Sequence, residues 1–165
     1  MTHVVVLADT HLRRGSRRRL PDTAYAHLEA ADLILHAGDI LVGDVLDELA
    51  GFAPVHAVLG NNDVELKALL PEDLVLDVDG VRVGMVHDSG QAAGRERRMR
   101  RRFPDADVVV FGHSHIPWDA AGADGQLLFN PGSATERRRQ PHHTLGTLDL
   151  DGGRVVDHRV HRLDG

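Results

Sequence analysis

The 165-residue chain predicts an α/β protein in which two β-sheets pack together and helices cover their outer faces, all within one domain spanning residues 1–165. Over the first two thirds, apolar runs alternate with amphipathic stretches, the cadence of strands joined by crossover helices. Asp79-Gly80 separates two apolar runs and is a strong short-range hairpin signal. Beyond about residue 126 the pattern changes to strands alone. Apolar residues make up 42% of the chain and aromatics 4%, so the core is expected to be built mainly of Val, Leu and Ala.

In chain order, the first strand is Val4 to Ala8, and a helical pattern follows from about Pro21 to Ala31. Leu33 to His36 is the second strand. A second helix from about Asp44 to Phe52 leads to a strand at Val55 to Leu59. Leu74 to Val78 and Val81 to Val86 are the arms of the hairpin. A third helix is predicted from about Gln91 to Phe103, and Asp107 to Phe111 is the strand after it. The last strands are Gln126 to Asn130, His143 to Leu150 and Arg154 to Leu163, with turns at Asp124-Gly125 and Asp151-Gly152-Gly153. No repeat, linker or low-complexity tail interrupts the series.

Composition removes several classes of function. Without cysteine there can be no disulfide, thiolate nucleophile, iron–sulfur cluster or zinc–cysteine site, so any metal must be held by His, Asp, Glu or Asn. No stretch approaches the roughly 18 apolar residues of a membrane helix. Val4 to Ala8 is too short for a signal-peptide core and ends in Asp9, which gives a cytoplasmic protein as the expectation. A net charge of −6 and the lack of a recognised motif speak against sequence-specific nucleic-acid binding. The arginines are bunched, at Arg13 to Arg19, Arg95 to Arg102 and Arg137 to Arg139. The middle group reads as solvated surface, whereas the outer two lie close to the motifs below, where they would steer an anion.

The strand ends carry the chemistry. The first strand runs on into Asp9-Thr10-His11, the second into Gly38-Asp39 and the third into Gly60-Asn61-Asn62-Asp63. The second arm of the hairpin delivers His87, and the run Val108 to Phe111 ends in Gly112-His113-Ser114-His115. In an extended segment residues two apart share a face, which would turn Asp9 with His11, and His113 with His115, toward common points. Each signal alone is weak, since Gly-Asp and Gly-Asn are ordinary turn pairs and an isolated H-x-H also fits two unrelated loop histidines. Seven nitrogen and oxygen ligand types at five strand ends, where ligand sites of open α/β sheets lie, form a constellation.

This ordered set resembles the calcineurin-like metallophosphoesterase superfamily. The short chain, the Asn130-Pro131-Gly132-Ser133 run and the lack of a cap domain are most similar to its small bacterial and archaeal phosphodiesterase branch. The resemblance implies a four-layer α/β/β/α sandwich with two divalent metal ions at one end of the sheets. One ion would be held by Asp9, His11, Asp39 and His115, and the other by Asp39 as a bridge with Asn61, His87 and His113. Sulfur-free ligands suit Mn, Fe, Zn, Co or Ni, and the resemblance favours Mn²⁺. The implied reaction is hydrolysis of a phosphate ester by in-line attack of a hydroxide shared between the ions. No protein nucleophile is then needed, so Ser89, Ser114 and Ser133 need not serve as one.

Asp39, Asn61, Asn62 and His87 are the candidate catalytic residues. Asn62, Asn130, Gly132, Ser133 and Arg137 are the candidate substrate contacts, with Asn130 to Ser133 offering an exposed turn. His36 and Asp63 stand beside ligands as candidate orienters. Asn62 marks a departure from the pattern: many members carry a histidine there, to which the resemblance gives protonation of the leaving oxygen, and an amide cannot do this. Asp88, where glycine commonly follows the histidine, is a milder one. The expected substrate is a small phosphorylated molecule, most simply a phosphodiester. Alternatives are a phosphomonoesterase, a dinucleotide hydrolase, and a non-catalytic, metal-binding protein-interaction module on the same fold. Assembly into a homo-oligomer is compatible with all of them.

Overall fold

The structure, a computed structural model, describes residues 1–164. Its first half alternates β1 (Thr2–Leu7), α1 (Asp22–Glu29), β2 (Leu33–His36), α2 (Gly43–Ala50) and β3 (Val55–Ala57). The hairpin β4 (Asp73–Val78) and β5 (Val81–Val86) follows, then α3 (Arg95–Arg102) and β6 (Val108–Val110). The chain closes with β7 (Trp118–Ala121), β8 (Leu127–Asn130), β9 (Thr144–Asp151) and β10 (Arg154–Arg162).

Two mixed five-stranded sheets result, ordered β10-β9-β1-β2-β3 and β4-β5-β6-β8-β7. In the first, β1, β2 and β3 run parallel, with β9 antiparallel to β1 and β10 antiparallel to β9. In the second, β5, β6 and β8 run parallel between antiparallel edges β4 and β7. Parallel neighbours place their carboxyl ends on one side, so the loops after β1, β2 and β3 meet those after β5 and β6 at one end of the molecule.

The side-chain period of two sorts each buried strand between layers. Val4, Val6 and Ala8 face the second sheet, packing in one cluster with Val83, Met85, Val108 and Val110. Val5 and Leu7 point the other way, under Ala24 and Leu28 of α1 and Val45 and Leu49 of α2. On the far side, Met99 and Phe103 of the α3 segment cover Val109, Phe111 and Leu128. The order is therefore helices, sheet, sheet, helix, as the sequence predicts. Each fully buried aliphatic or aromatic side chain contributes about 1.5–3 kcal/mol by leaving water.

Two elements depart from expectation. β7 is absent from the sequence reading because Trp118-Asp119-Ala120-Ala121 has neither alternation nor β-branched residues. It forms as an exposed edge by pairing with β8. α3 begins four residues later than predicted because Gly90 and Gly94 adopt left-handed backbone, φ +80° and +77°. The intervening loop winds around one side chain: the Arg98 guanidinium donates to the carbonyls of Ser89, Gln91 and Ala93 at 2.6, 3.0 and 3.0 Å. The middle arginine cluster is thus only partly surface, since Arg98 organises a loop and Arg95 is buried.

Candidate metal centre

The strands stop before the ligand-type residues. β1 ends at Leu7 and β6 at Val110, and Asp9, His11, Asp39, His113 and His115 all sit in loops at positive φ, between +45° and +73°. Alternation along an extended strand is therefore not what brings the pairs together, which corrects the shared-face expectation. Left-handed turns cost non-glycine residues free energy, about 1–3 kcal/mol each, and such strain concentrates at functional sites. His115 turns inward beside Asp9 and His11, while His113 stays half-exposed beside Asn61 and His87.

Glycines let these loops interlock. A Cβ on Gly60 would fall on the backbone nitrogen and carboxylate of Asp39. One on Gly112 would lie 2.9 Å from the Ala8 Cβ and 3.0 Å from Asp9 Oδ2.

Two buried groups of side chains converge, Asp9 with His11 and His115, and Asp9 with Asp39 and His87. Asp39 Oδ2 stands 3.4 Å from both His11 Nε2 and His87 Nε2, midway across the centre. His115 Nε2 is 3.7 Å and His87 Nε2 3.9 Å from Asp9 Oδ1. The Asn61 amide oxygen lies 3.0 Å from His87 Nε2 and 3.2 Å from His113 Nδ1. All seven expected ligand positions are thus brought to one place.

The imidazoles are oriented from behind. His87 Nδ1–H donates to the Ala37 carbonyl at 2.7 Å, and His115 Nδ1–H donates to the Glu136 carbonyl. Each Nε2 lone pair is thereby turned inward, the arrangement usual for metal-binding histidines. Asp9 Oδ1 and Oδ2, His11 Nε2 and His115 Nε2 are buried with no hydrogen-bond partner. Leaving such groups unpaired is costly. Asp9, His11 and His115 each turn a ligand atom to within 4.8 Å of the others, so these residues would hold a divalent cation and the donor set fits the metal that the fold implies.

The electrostatics agree. Burial pushes the Asp9 carboxyl up to about 7, only partly offset by His87. Burial also pushes Asp39 up, but hydrogen bonds from His87 and Asn62 outweigh it and hold that carboxyl below the usual carboxylate range. Desolvation lowers His11 and His115. For His87, burial is overcome by the hydrogen bond to Asp39 and the charge of Asp9, so the net shift is upward. The ionised Asp39 beside neutral His11 and His115 is ready for a cation, whereas Asp9 and His87 must each release a proton to bind one.

Neighbouring residues hold this geometry. The Asp63 carboxylate accepts from the backbone N–H groups of Asp39, Ile40, Leu41 and Gly60 at 2.7–2.9 Å, tying the second and third loops together. His36 is wholly buried and pushed down to about 3 by that burial. It accepts from Gly38 N–H at 3.2 Å and donates to Thr10 Oγ1 at 3.0 Å. Asn62 clamps Asp39, its backbone N–H and its amide Nδ2 donating to Oδ1 and Oδ2 at 2.9 and 3.0 Å.

The expected exposed turn at Asn130 to Ser133 is buried instead. Asn130 donates to Gly112 O and Ser114 Oγ and accepts from Gly132 N–H, while Ser133 Oγ donates to Asp9 O, so these groups brace the ligand loops from within. Arg137 is exposed and donates to Gln140 O at 2.6 Å. The positive charges acting on the centre are Arg18 and Arg138.

Glu136 escaped the sequence reading. Its carboxylate lies 3.5 Å from His11 Nε2 and 3.4 Å from Arg18 Nη2. A lone glutamate in an arginine-rich loop gives no local signal of that position. A cleft of about 330 Å³ opens over Asn61, His87 and His113, with Lys67 and Arg102 also in its wall. A larger cavity of about 500 Å³, lined by Arg100, Asp107, Gln126 and His158 among others, is lined by none of the centre's residues.

Two mixed sheets that gather buried Asp and His side chains in the loops at one end define a protein with a candidate metal centre. The chain belongs to the calcineurin-like phosphoesterase superfamily, whose domain profile matches residues 1–153. It is 33% identical over 152 residues to a probable metallophosphoesterase of Methanothermobacter thermautotrophicus, covering 91% of this chain and 87% of that protein. Among solved structures, a Thermotoga maritima protein is similar with a TM-score of 0.74 and 30% identity, over 98% of this chain and 99% of the other. A structure described as a novel archaeal phosphodiesterase shares the fold at a TM-score of 0.70 and 19% identity, over 97% and 99%. Among the described residues no helix is long and apolar enough to cross a membrane.

Proposed function

We propose that this protein is a cytoplasmic phosphodiesterase that binds two divalent ions, preferably Mn²⁺, and hydrolyses a small phosphorylated substrate. The observation that carries the reading is the set of four buried donor atoms without partners, on Asp9, His11 and His115, set against Asp39 midway between the two groups of ligands. In this reading Asp9, His11, Asp39 and His115 hold one ion, and Asp39, Asn61, His87 and His113 hold the other. Two such ions, when bound, neutralise charge on a phosphate ester and make a nucleophile of water near neutral pH.

The chain's own residues do the rest. Ala37 and the Glu136 carbonyl fix the tautomers of His87 and His115. Asn62 and Asp63 hold the side chain and backbone of Asp39, so the centre is set before substrate arrives. Lys67, and Arg102 in its ion pair with Asp73, share the cleft wall with Glu72 and Asp88, so the entrance carries both signs of charge. Asn62, engaged with Asp39, supplies no proton to the leaving oxygen, which favours esters with good leaving groups.

The test is a screen of metal-stripped protein, reloaded with Mn²⁺, Co²⁺, Ni²⁺ or Zn²⁺, against phosphodiesters, phosphomonoesters and dinucleotides. Elemental analysis should approach two ions per chain. Hydrolysis of a nitrophenyl phosphodiester should fall at least 10²-fold in His87→Ala. No turnover with any metal, alongside full metal loading, would replace the enzyme by a metal-binding interaction module.

A further inference from the structure

Away from the metal centre, α3 and the outer face of the second sheet enclose a cavity of about 460 Å³ lined by Gly94, Arg95, Glu96, Arg97, Trp118 and Leu128, with Ala92. Arg95 is only 7% exposed and is the one arginine among the described residues that is buried. Its guanidinium carbon sits 4.7 Å from the Phe111 ring centroid and 4.9 Å from that of Trp118. Contact with aromatic rings uses the flat faces of the cation and leaves its edge, where the N–H groups lie, for other partners.

Those partners are missing. Nη2 donates to the Gly90 carbonyl at 3.2 Å, but Nε is buried with no hydrogen bond. The indole Nε1 of Trp118, in the same cavity wall, is also buried and unpaired. Arg14 and Arg102 form ion pairs with carboxylates, whereas Arg95 has none among the described residues. Asp88 acts on it through charge alone. The cavity also meets the start of α3, where the N–H groups of Glu96 and Arg97 have no acceptor one turn back. The N–H groups on either side of them are taken, Arg95 by Ala92 O at 3.2 Å and Arg98 by Gly94 O at 3.0 Å.

We propose that this cavity is a binding site for a phosphate group, separate from the metal centre. Apart from the exposed Glu96 carboxylate, the free groups around it are donors: guanidinium N–H, indole N–H and two backbone N–H groups at the positive end of a helix. Such a set calls for a ligand that only accepts, and helix N-termini favour anions. The donors come from separate parts of the fold, a guanidinium edge, an indole ring and a helix start. A tetrahedral oxyanion, with oxygens pointing outward all round, meets them better than a planar carboxylate. Glu96, the acidic residue of the wall, is exposed.

The test uses the full chain with its metals removed by a chelator, so that phosphate cannot bind through them. Trp118 is the sole tryptophan of the chain, and its fluorescence reports on the cavity directly. Orthophosphate and adenosine monophosphate are titrated separately against potassium chloride at matched ionic strength. Saturable quenching or enhancement by either phosphate, with no change in chloride, is the expected result, and the tighter of the two identifies the source of the group. Arg95→Gln should weaken that binding at least tenfold, and Asp39→Asn should leave it unchanged. Should Arg95→Gln fail to fold, wild-type amide spectra decide: the Glu96 and Arg97 amides and the Trp118 indole should shift together with phosphate. A response that tracks ionic strength, or resonances that move only in the loops of the metal centre, overturns the proposal.

Discussion

At the scale of single residues, Asp9 and Asp63 show two opposite uses of a buried carboxylate. Asp63 is satisfied by four backbone N–H groups and acts as a fastener. Asp63→Ala would leave those donors unpaired in the interior, at about 1–3 kcal/mol for each that water cannot reach. The expected loss is about 3 kcal/mol or more by urea denaturation, with weaker metal binding because the Asp39 loop is freed. Asp9 is unsatisfied, and without metal its charge is a burden. Its folded pKa of about 7 exceeds the unfolded 3.8. The folded state therefore holds the extra proton, and stability falls as pH rises from about 4 to about 7. Asp9→Asn removes that burden. In chelator-treated protein the variant should gain stability over wild type by about 2 kcal/mol more at pH 8 than at pH 5, while losing metal binding. An equal gain at both pH values would show that Asp9 is not the titrating group.

Among the elements, α3 is the least conventional. Six arginines in eight residues with one buried methionine make a poor amphipathic helix, and the Met99 and Phe103 contacts to the second sheet hold it in place. Those contacts depend on a missing side chain opposite, for a Cβ on Gly84 of β5 would lie 2.6 Å from Phe103 Cδ1. Gly84→Ala should cost about 1–3 kcal/mol through overpacking, measured by urea denaturation. Adding Phe103→Leu should recover part of it. If the two losses simply add, the helix is not seated through this contact. The sequence missed Arg95 because a run of arginines reads as a solvated face until the aromatic rings of another strand arrive beside it, and it made α3 too long because the left-handed turns at Gly90 and Gly94 belong to a loop wound around Arg98.

For the whole molecule, the metal centre ties together loops from both sheets, with Asp9 and Asp39 from one and His87, His113 and His115 from the other. A cation bound there would resist separation of the layers. Ligand present at about a hundred times its Kd stabilises the folded state by about 2.7 kcal/mol. For a chain of this length that corresponds to roughly 5–10 °C in Tm. Calorimetry with saturating Mn²⁺ against chelator should show such a rise, and Asp39→Asn should cut most of it. A Tm that ignores the metal in wild type would mean that the loops are held without it.

The sequence by itself determined the layered α/β class, most strand positions and the identity of the residues that meet at the centre. Those are encoded locally: in alternating apolar runs, in Asp79-Gly80, and in the glycines before Asp39, Asn61 and His113. Tertiary structure alone decided their geometry. The backbone that presents Asp9, His11, His113 and His115 is left-handed rather than extended, because loops from two sheets must interlock in a space that a single Cβ at Gly112 would fill. It also decided that Asn130 and Ser133 are internal braces, that Glu136 reaches His11, and that Trp118 lies on a strand beside a buried arginine. Each of these depends on partners distant in sequence, and no local pattern of residues records a neighbour that only packing supplies.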